Sequence, residues 1–266
     1  MNTRRIYRLG RGLLVTAALA LLVLACNGVI TGPTNGSVYH AFGLMAIDQN
    51  ITKTVAITEV RKDTTISATA SVKFDGLPLS FNSAPFVGDS AYSTVWNSAI
   101  QFAQGNHTLK ISDSTSLSSQ SISLSLPGTV SIIGVTPSNR LSNGSNAVKL
   151  DWFGGSGASG FVIAAVRTNL AYAGAGYSIY ATSQATSATF PRDAFYQTNP
   201  NTPDTGWYYL YVYAYTGAPD SVFAKDVLPI GFPSQLAENV SSQYLKGHAG
   251  IVRVAAKDSV RIALQP

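Results

Sequence analysis

Three histidines, one cysteine and 13 acidic side chains are the groups from which this 266-residue chain could assemble a reactive centre. A metal site needs His, Cys, Asp or Glu at characteristic spacings. None of His40, His107 and His248 has a second ligand type at such a spacing, so all three read as surface histidines. A Ser-His-Asp triad can be drawn through any Ser-rich chain, because its members need not be adjacent, but no G-x-S-x-G nucleophile turn is present. Gly155-Ser156-Gly157-Ala158-Ser159-Gly160 spells G-x-G-x-x-G. Dinucleotide binding requires that run to open a helix, with an acid about 20 residues further on. Here it leads into the β-type run Phe161 to Val166, no acid lies in that window, and it reads as a loop of a sandwich. Asp48, Asp63, Asp75, Asp89, Asp113, Asp204 and Asp220 fall at turn-like places, where turn chemistry accounts for them. Paired carboxylates for glycoside hydrolysis need a groove and a fixed separation, which no spacing here specifies. The expectation is therefore no catalytic residue, no metal and no cofactor.

The remaining chemical feature is aromatic. GWYYLYVYAYTGAP, residues 206 to 219, holds one Trp and five Tyr within nine positions. Strand alternation sends Tyr208, Leu210, Val212 and Ala214 to one face, as a core. It sends Trp207, Tyr209, Tyr211, Tyr213 and Tyr215 to the other, a candidate binding face that Tyr172, Tyr177 and Tyr180 could extend. Flat rings with hydroxyl tips suit sugar faces or a protein surface. The alternative is that residues 232–266, whose apolar side chains need a partner, roof the row; that roof is the favoured reading.

The elements that carry these residues begin after an export signal. Arg4, Arg5, Arg8 and Arg11 precede the apolar, uncharged segment Leu13 to Ala25, which is 13 residues long. A spanning helix needs about 20, so the segment reads as a cleaved signal. Val23-Leu24-Ala25-Cys26 resembles the lipobox of bacterial lipoproteins, with Val23 where the family prefers Leu. The resemblance implies that Cys26 becomes the first residue of the mature chain and carries acyl chains into a membrane. One acyl chain holds only marginally, and two or three hold durably. In Gram-negative members an Asp after the Cys favours inner-membrane retention, so Asn27 implies the outer membrane or cell surface in such a cell.

Removing the signal removes the charge excess. The chain has 18 Lys+Arg against 13 Asp+Glu; four of the basic residues lie in the signal, leaving 14 against 13. No basic stripe remains to bind nucleic acid. Cys26 is the sole cysteine, so once it is acylated the mature domains have neither disulfide nor thiolate chemistry, and an apolar core must hold them.

Residues 26–37 are rich in Gly, Asn and Thr and read as a tether. Beyond them come short alternating runs rich in Ser, Thr, Val, Ile and Tyr, the pattern of an all-β sandwich. The first expected module spans 38–127. Its strands are Thr54 to Val60, Thr65 to Phe74, Ile100 to Phe102, His107 to Ile111 and Gln120 to Leu126, with a turn at Asp75-Gly76. Gly105-Asn106-His107-Thr108-Leu109-Lys110-Ile111 resembles a strand opening of bacterial immunoglobulin-like domains. Leu126-Pro127-Gly128 marks the boundary.

The second module spans 128–231. Val148, Leu150 and Trp152 alternate, as do Phe161, Ile163 and Ala165; Ala188-Thr189-Phe190, the loop Pro191 to Thr205, and Tyr208-x-Leu210-x-Val212-x-Ala214 follow. This order resembles the fibronectin type III fold. The resemblance implies a buried Trp152 and a Tyr208 that hydrogen-bonds upstream, with Phe195 beside it. These are packing motifs and carry no activity. The tail, 232–266, reads as a short helix opening at Pro233-Ser234, with Leu236, Val240 and Tyr244 at four-residue spacing. A hairpin about Ala256-Lys257-Asp258 follows, docked on a sheet.

The sequence thus predicts two tandem immunoglobulin-like or fibronectin type III-like sandwiches behind a lipid anchor. The expected role is a non-catalytic envelope protein that is structural or binds protein. The alternatives are a glycan binder using the Trp/Tyr face and a hydrolase built from loops such as Pro191 to Thr205. Replacing Cys26→Ala should move the protein from the membrane to the soluble fraction and abolish palmitate labelling. Continued co-fractionation with membranes would show that the lipobox reading is wrong.

Overall fold

The computed structural model describes residues 38–51, 53–83, 90–96, 102, 104–136, 147–168 and 176–262. The signal, Cys26, the tether, Asp89, Ile100 and Tyr172 lie outside the described residues. The body is all-β, built from two sandwiches.

The first sandwich runs β1 (Tyr39–Asp48), β2 (Lys53–Lys62), β3 (Thr65–Ile66), β4 (Ala70–Phe74), β5 (Leu77–Asn82), β6 (Ala91–Trp96), β7 (Gly105–Asp113) and β8 (Leu117–Leu126). Strands β1, β2 and β6 pair in that order, and β5, β4, β7 and β8 pair in that order, with β5 also joined to β6. The β4–β5 hairpin turns at Asp75 and Gly76, both with positive φ (48° and 81°). That geometry matches the twist of the flanking strands and explains Asp-Gly at this point. Alternate residues of β4 and β7, such as Val72, Phe74, Leu109 and Ile111, enter one core with Tyr39, Ala41 and Val60.

The second sandwich runs β9 (Val130–Thr136), β10 (Val148–Gly154), β11 (Gly160–Arg167), β12 (Gly176–Thr182), β13 (Ser187–Phe190) and β14 (Gly206–Gly217). Strands β13, β10 and β9 make a three-stranded sheet; β12, β11 and β14 make the facing one. Trp152 is 1% exposed and lies 5.4 Å from Phe161 in the core. The Tyr208 hydroxyl donates to the Asp204 carbonyl at 2.8 Å, and Phe195 meets the Tyr208 ring edge-on at 5.1 Å. Burial pushes the Tyr208 phenol up to about 12. The neighbourhood implied for Tyr208 is therefore present.

The tail departs from expectation in three ways. No helix follows Pro233: Leu236 packs beneath a sheet face, and Val240 pairs with Gly247 in the two-residue strand β15 (Val240–Ser241). Tertiary contacts override a weak four-residue spacing. The helix lies earlier, as α1 (Ser221–Val227), where Asp220 Oδ1 accepts the Val222 and Phe223 N–H groups. Nor is there a hairpin at 256–258. Leu245 to Ile262 is one 18-residue strand, β16.

β16 belongs to both sandwiches. Its first part lies parallel to β1, from Tyr39↔Leu245 to Asp48↔Val254. Its later part lies antiparallel to β14, from Gly217↔Gly250 to Gly206↔Ile262, and forms the seventh strand of the second sandwich. The register slips by one residue between Val212 and Tyr213, whose partners are Ala256 and Val254. That bulge at Ala255 reverses the faces. Before it Ile251 enters the first core and Val252 and Val254 point the other way; after it Val260 and Ile262 enter the second core. The break that resembles a turn in the sequence is this change of face.

The junction is built from polar groups. Arg253, 8% exposed, donates from Nε to the Pro127 carbonyl at 2.8 Å. Thr216 Oγ1 donates to the Ser125 carbonyl. The G-x-G-x-x-G loop sits here as well: the Gly128 N–H reaches the Ser156 carbonyl at 2.8 Å, and Gln104 Nε2 reaches Ser156 Oγ at 2.9 Å.

His107 departs from the surface reading, and Asp113 holds its turn as expected while also gathering buried hydroxyls. His107 is 7% exposed, with Nδ1 2.6 Å from Asp75 Oδ2 and its ring stacked on Phe74. It is a core residue held to a turn carboxylate. Asp113 accepts from Thr115 N–H and Oγ1, Ser67 Oγ (3.0 Å) and Thr69 Oγ1 (3.1 Å). Burial raises its pKa, but those hydrogen bonds outweigh burial and hold it at about 2, against an ordinary 3.8. Its contribution to stability is complete above the ordinary value and is lost as pH falls through the folded one. Asp113→Ala should cost about 2–3 kcal/mol in urea unfolding near neutral pH. The difference from the unmodified protein should shrink as pH falls from about 4 to 2; a difference independent of pH would contradict this assignment.

Candidate functional site

The aromatic row is divided by a cover. Trp207 is 49% exposed and Tyr209 38%, whereas Tyr211, Tyr213 and Tyr215 are buried. Of the five residues of the candidate face, three are roofed and two are open. The roof also differs from the one expected. It is the segment 218–236, which leaves β14 at Gly217 (φ 67°), where a Cβ would sit 2.5 Å from the Ala249 carbonyl oxygen. Phe223, Ala224 and Leu228 of this segment, followed by Ile230, Phe232 and Leu236, pack on the tyrosines. Only the last part of the cover comes from the 232–266 tail, because most of that tail is consumed as strand.

Specific bonds hold the cover in place. Ser178 Oγ donates to the Gly231 carbonyl at 2.9 Å and the Tyr180 hydroxyl to the Ser234 carbonyl at 2.6 Å. The Tyr213 hydroxyl accepts the Ile230 N–H at 3.3 Å, and Tyr215 lies 5.5 Å from Phe232. Burial shifts the Tyr213 phenol strongly upward, so it is neutral at any ordinary pH. Tyr177 packs against the second core, so of Tyr177 and Tyr180, the described tyrosines expected to extend the row, Tyr180 belongs to this face.

The open pair sits at one pole. Trp207 is opposite Arg261 across β14–β16, and Tyr209 is opposite Ser259. The loop Pro191 to Thr205 joins the same pole and is braced internally. Asp204 Oδ2 accepts the Thr198 N–H at 3.0 Å, Arg167 donates to the Thr205 carbonyl at 2.8 Å, and Arg192 lies 4.2 Å over the Tyr196 ring. Arg192 and Asp204 are engaged in holding the loop. A smaller apolar feature, Phe153 (73% exposed) with Ile133 (69%), lies on the outer face of the β9–β10 pair.

A cleft of about 370 Å³ opens at the margin of the cover, over the outer face of the first sandwich. Register places Glu59, Phe42 and His248 in one row across β2, β1 and β16. Phe42 stacks between His40 (6.3 Å, 8° between planes) and His248 (6.0 Å, 26°). Glu59 is 4% exposed and its carboxylate accepts from Arg61 Nε. The opposite wall is α1 and Gln235, whose Oε1 accepts the Ser221 N–H at 2.7 Å. His248 Nδ1 is buried and makes no hydrogen bond among the described residues. The sequence reading missed this site, although one signal was present: Glu59 interrupts the apolar strand TVAITEV. The three strands that assemble the row are far apart in the chain.

No group of three His, Cys, Asp or Glu side chains suited to a metal occurs among the described residues, and no helix there is long and apolar enough to cross a membrane. The strand order of the second sandwich, β13-β10-β9 facing β12-β11-β14-β16, is that of an immunoglobulin-like β-sandwich, whereas in the first β16-β1-β2-β6 and β5-β4-β7-β8 are joined through β5 and β6. No protein-family model matches the chain, and no curated protein matches it. Among solved structures it is similar to a chimeric titin Z1Z2-Z1Z2 tandem functionalised with a GRGDS peptide from fibronectin. The identity there is 9%, over 84% of this chain and 96% of that one, with a TM-score of 0.21. It is also similar to a titin I-band fragment, at 11% identity over 85% of this chain and 65% of that one, with a TM-score of 0.21. Likeness at that level carries no argument, and the fold stands on its own strand order.

The division of the aromatic row has an energetic consequence. Tyr213→Ala should cost about 3–5 kcal/mol, because it empties a fully buried site beneath the cover. Trp207→Ala should stay within about 0.5 kcal/mol. Thermal or urea unfolding distinguishes them, and equal effects would mean the cover is not packed as described.

Proposed function

We propose that this chain is an exported, lipid-anchored envelope protein with no catalytic role, which holds a protein-binding pole away from the membrane. The observation that carries the reading is the polarity of the shared strand. Tyr39, where the tether joins, is opposite Leu245, and Trp207 is opposite Arg261. Those two positions of β16 are 16 residues apart, about 50 Å at 3.3 Å per residue. Tyr39 and the open Trp207–Tyr209 pair thus fall toward opposite ends of a continuous strand, which suits a chain tethered through its N-terminal side. Exposed aromatics flanked by an arginine, here Arg261, are enriched where proteins bind one another.

A second reading is glycan binding at the same pole. It is favoured by the alternation that sets Trp207 and Tyr209 side by side on one open face. Photocrosslinking separates the two. A crosslinker placed at residue 207 in intact cells should give a discrete protein adduct that Tyr209→Ala weakens. The same group at Ser121, on the exposed edge strand β8, should not give it. A glycan array probed with soluble chain 27–266 would favour the second reading if it gave a signal that Trp207→Ala removed. Adducts of the same pattern from 207 and 121 would overturn the protein-binding reading.

A further inference from the structure

We propose that the joint between the two sandwiches binds a small oxyanion, a carboxylate or phosphate group, on the terminal amino groups of Arg253. The joint lies apart from the pole carrying Trp207. Arg253 is 8% exposed, and an arginine buried to that degree is ordinarily paired with an acid. None of the ion pairs among the described residues, Arg61–Glu59, His107–Asp75, Lys149–Asp151 and Arg167–Asp204, includes it. Burial lowers its pKa. The charge is thus partly stripped of water and has no counter-charge.

Register and hydrogen bonds fix where that charge sits. Arg253 lies between Ile47 of β1 and Ala214 of β14 in one cross-strand row. Its side chain reaches the linker between the sandwiches, where Nε donates to the Pro127 carbonyl at 2.8 Å. Thr216 Oγ1, two residues along β14 from Ala214, holds the Ser125 carbonyl of the same linker. The linker is therefore pinned, and the guanidinium plane is held with it. A guanidinium carries five N–H donors, of which the bond to Pro127 uses the one on Nε. Nη1 and Nη2 make no hydrogen bond among the described residues. Neither is among the shut-in, unbonded side-chain nitrogens of those residues. Both accordingly keep contact with solvent, and the exposed fraction of Arg253 is its tip.

The chemistry of the tip selects the ligand. Nη1 and Nη2 present parallel N–H groups in a planar fork, which matches two oxygens of a carboxylate or phosphate. The neighbours in the row and on the linker, Ile47, Ala214, Leu126 and Pro127, bring no acid that would compete. A tip so recessed admits a small anion and excludes a flat protein surface. The bound oxyanion supplies the missing counter-charge at the point where both sandwiches meet the linker.

The test is arginine footprinting of the intact protein in non-ionic detergent. Phenylglyoxal labelling is read by peptide mass spectrometry in sodium chloride, sodium acetate or sodium phosphate at equal ionic strength. Arg253 should be labelled in chloride. Acetate or phosphate should slow that labelling saturably, by about ten-fold at about nine times the half-effect concentration. Arg261, which is exposed, should label equally in all three salts. The protecting anion should also raise the thermal midpoint above that in chloride. Arg253→Leu should abolish the rise, and Arg261→Leu should keep it. No labelling of Arg253 in chloride, protection by neither oxyanion, or protection of Arg253 and Arg261 alike overturns the proposal. These labelling comparisons use the unmodified protein, so they decide the matter even if Arg253→Leu does not fold.

Discussion

Two backbone ladders on one strand set the architecture. Over Gly250 to Val254, β16 is paired on one side to β1 and on the other to β14. Strands usually run 3–10 residues, and one of 18 residues with both edges engaged at its middle makes two sheets continuous. The sandwiches therefore share a backbone element, and bending between them would break ladder hydrogen bonds. The other features follow from it. The bulge at Ala255 is needed because both cores lie on the same side of the joined sheet while the alternation on either side of the joint is out of step. The opposite side is left apolar by Val252, Val254, Leu44 and the tyrosines, so it requires the cover supplied by residues 218–236.

Polar groups do the locating that disulfides do in many exported proteins. Arg253 is buried between the two cores and bonded to the Pro127 carbonyl; burial lowers its pKa. Asp113 gathers hydroxyls from residues 67, 69 and 115, and His107 is bonded to the turn at Asp75. Each satisfies groups that would be expensive to bury alone. Apolar area provides the general drive to fold, and these bonds fix the register and the angle at which elements meet.

The same economy separates structure from recognition. Along one face, the aromatic row passes from covered to open over two strand positions, so the same phenol ring serves as core at Tyr213 and as surface at Tyr209. The cleft arises where the cover ends above the first sandwich, and its buried acid and imidazole come from strands that belong to the shared sheet. Both features are by-products of how far the cover reaches.

Much of the fold was legible in the amino-acid order. An apolar run marked β2 and period-two alternation marked β7, β8, β11 and β14; Asp75-Gly76 marked its hairpin; Trp152, Phe161 and Tyr208 marked the second core. These signals are local, because a strand's two faces and a turn's backbone angles are set by neighbouring residues. What the order of residues could not decide was pairing at long range. Whether 245–262 folds back on itself or runs straight between two partners depends on edges presented by residues 39–48 and 206–217. Which tyrosines are roofed depends on where the chain goes after Gly217. The row of Glu59, Phe42 and His248 exists only after three separate strands align. Alternation specifies a strand's faces but not its neighbours, and neighbours alone determine which side chains are buried, satisfied or left to bind.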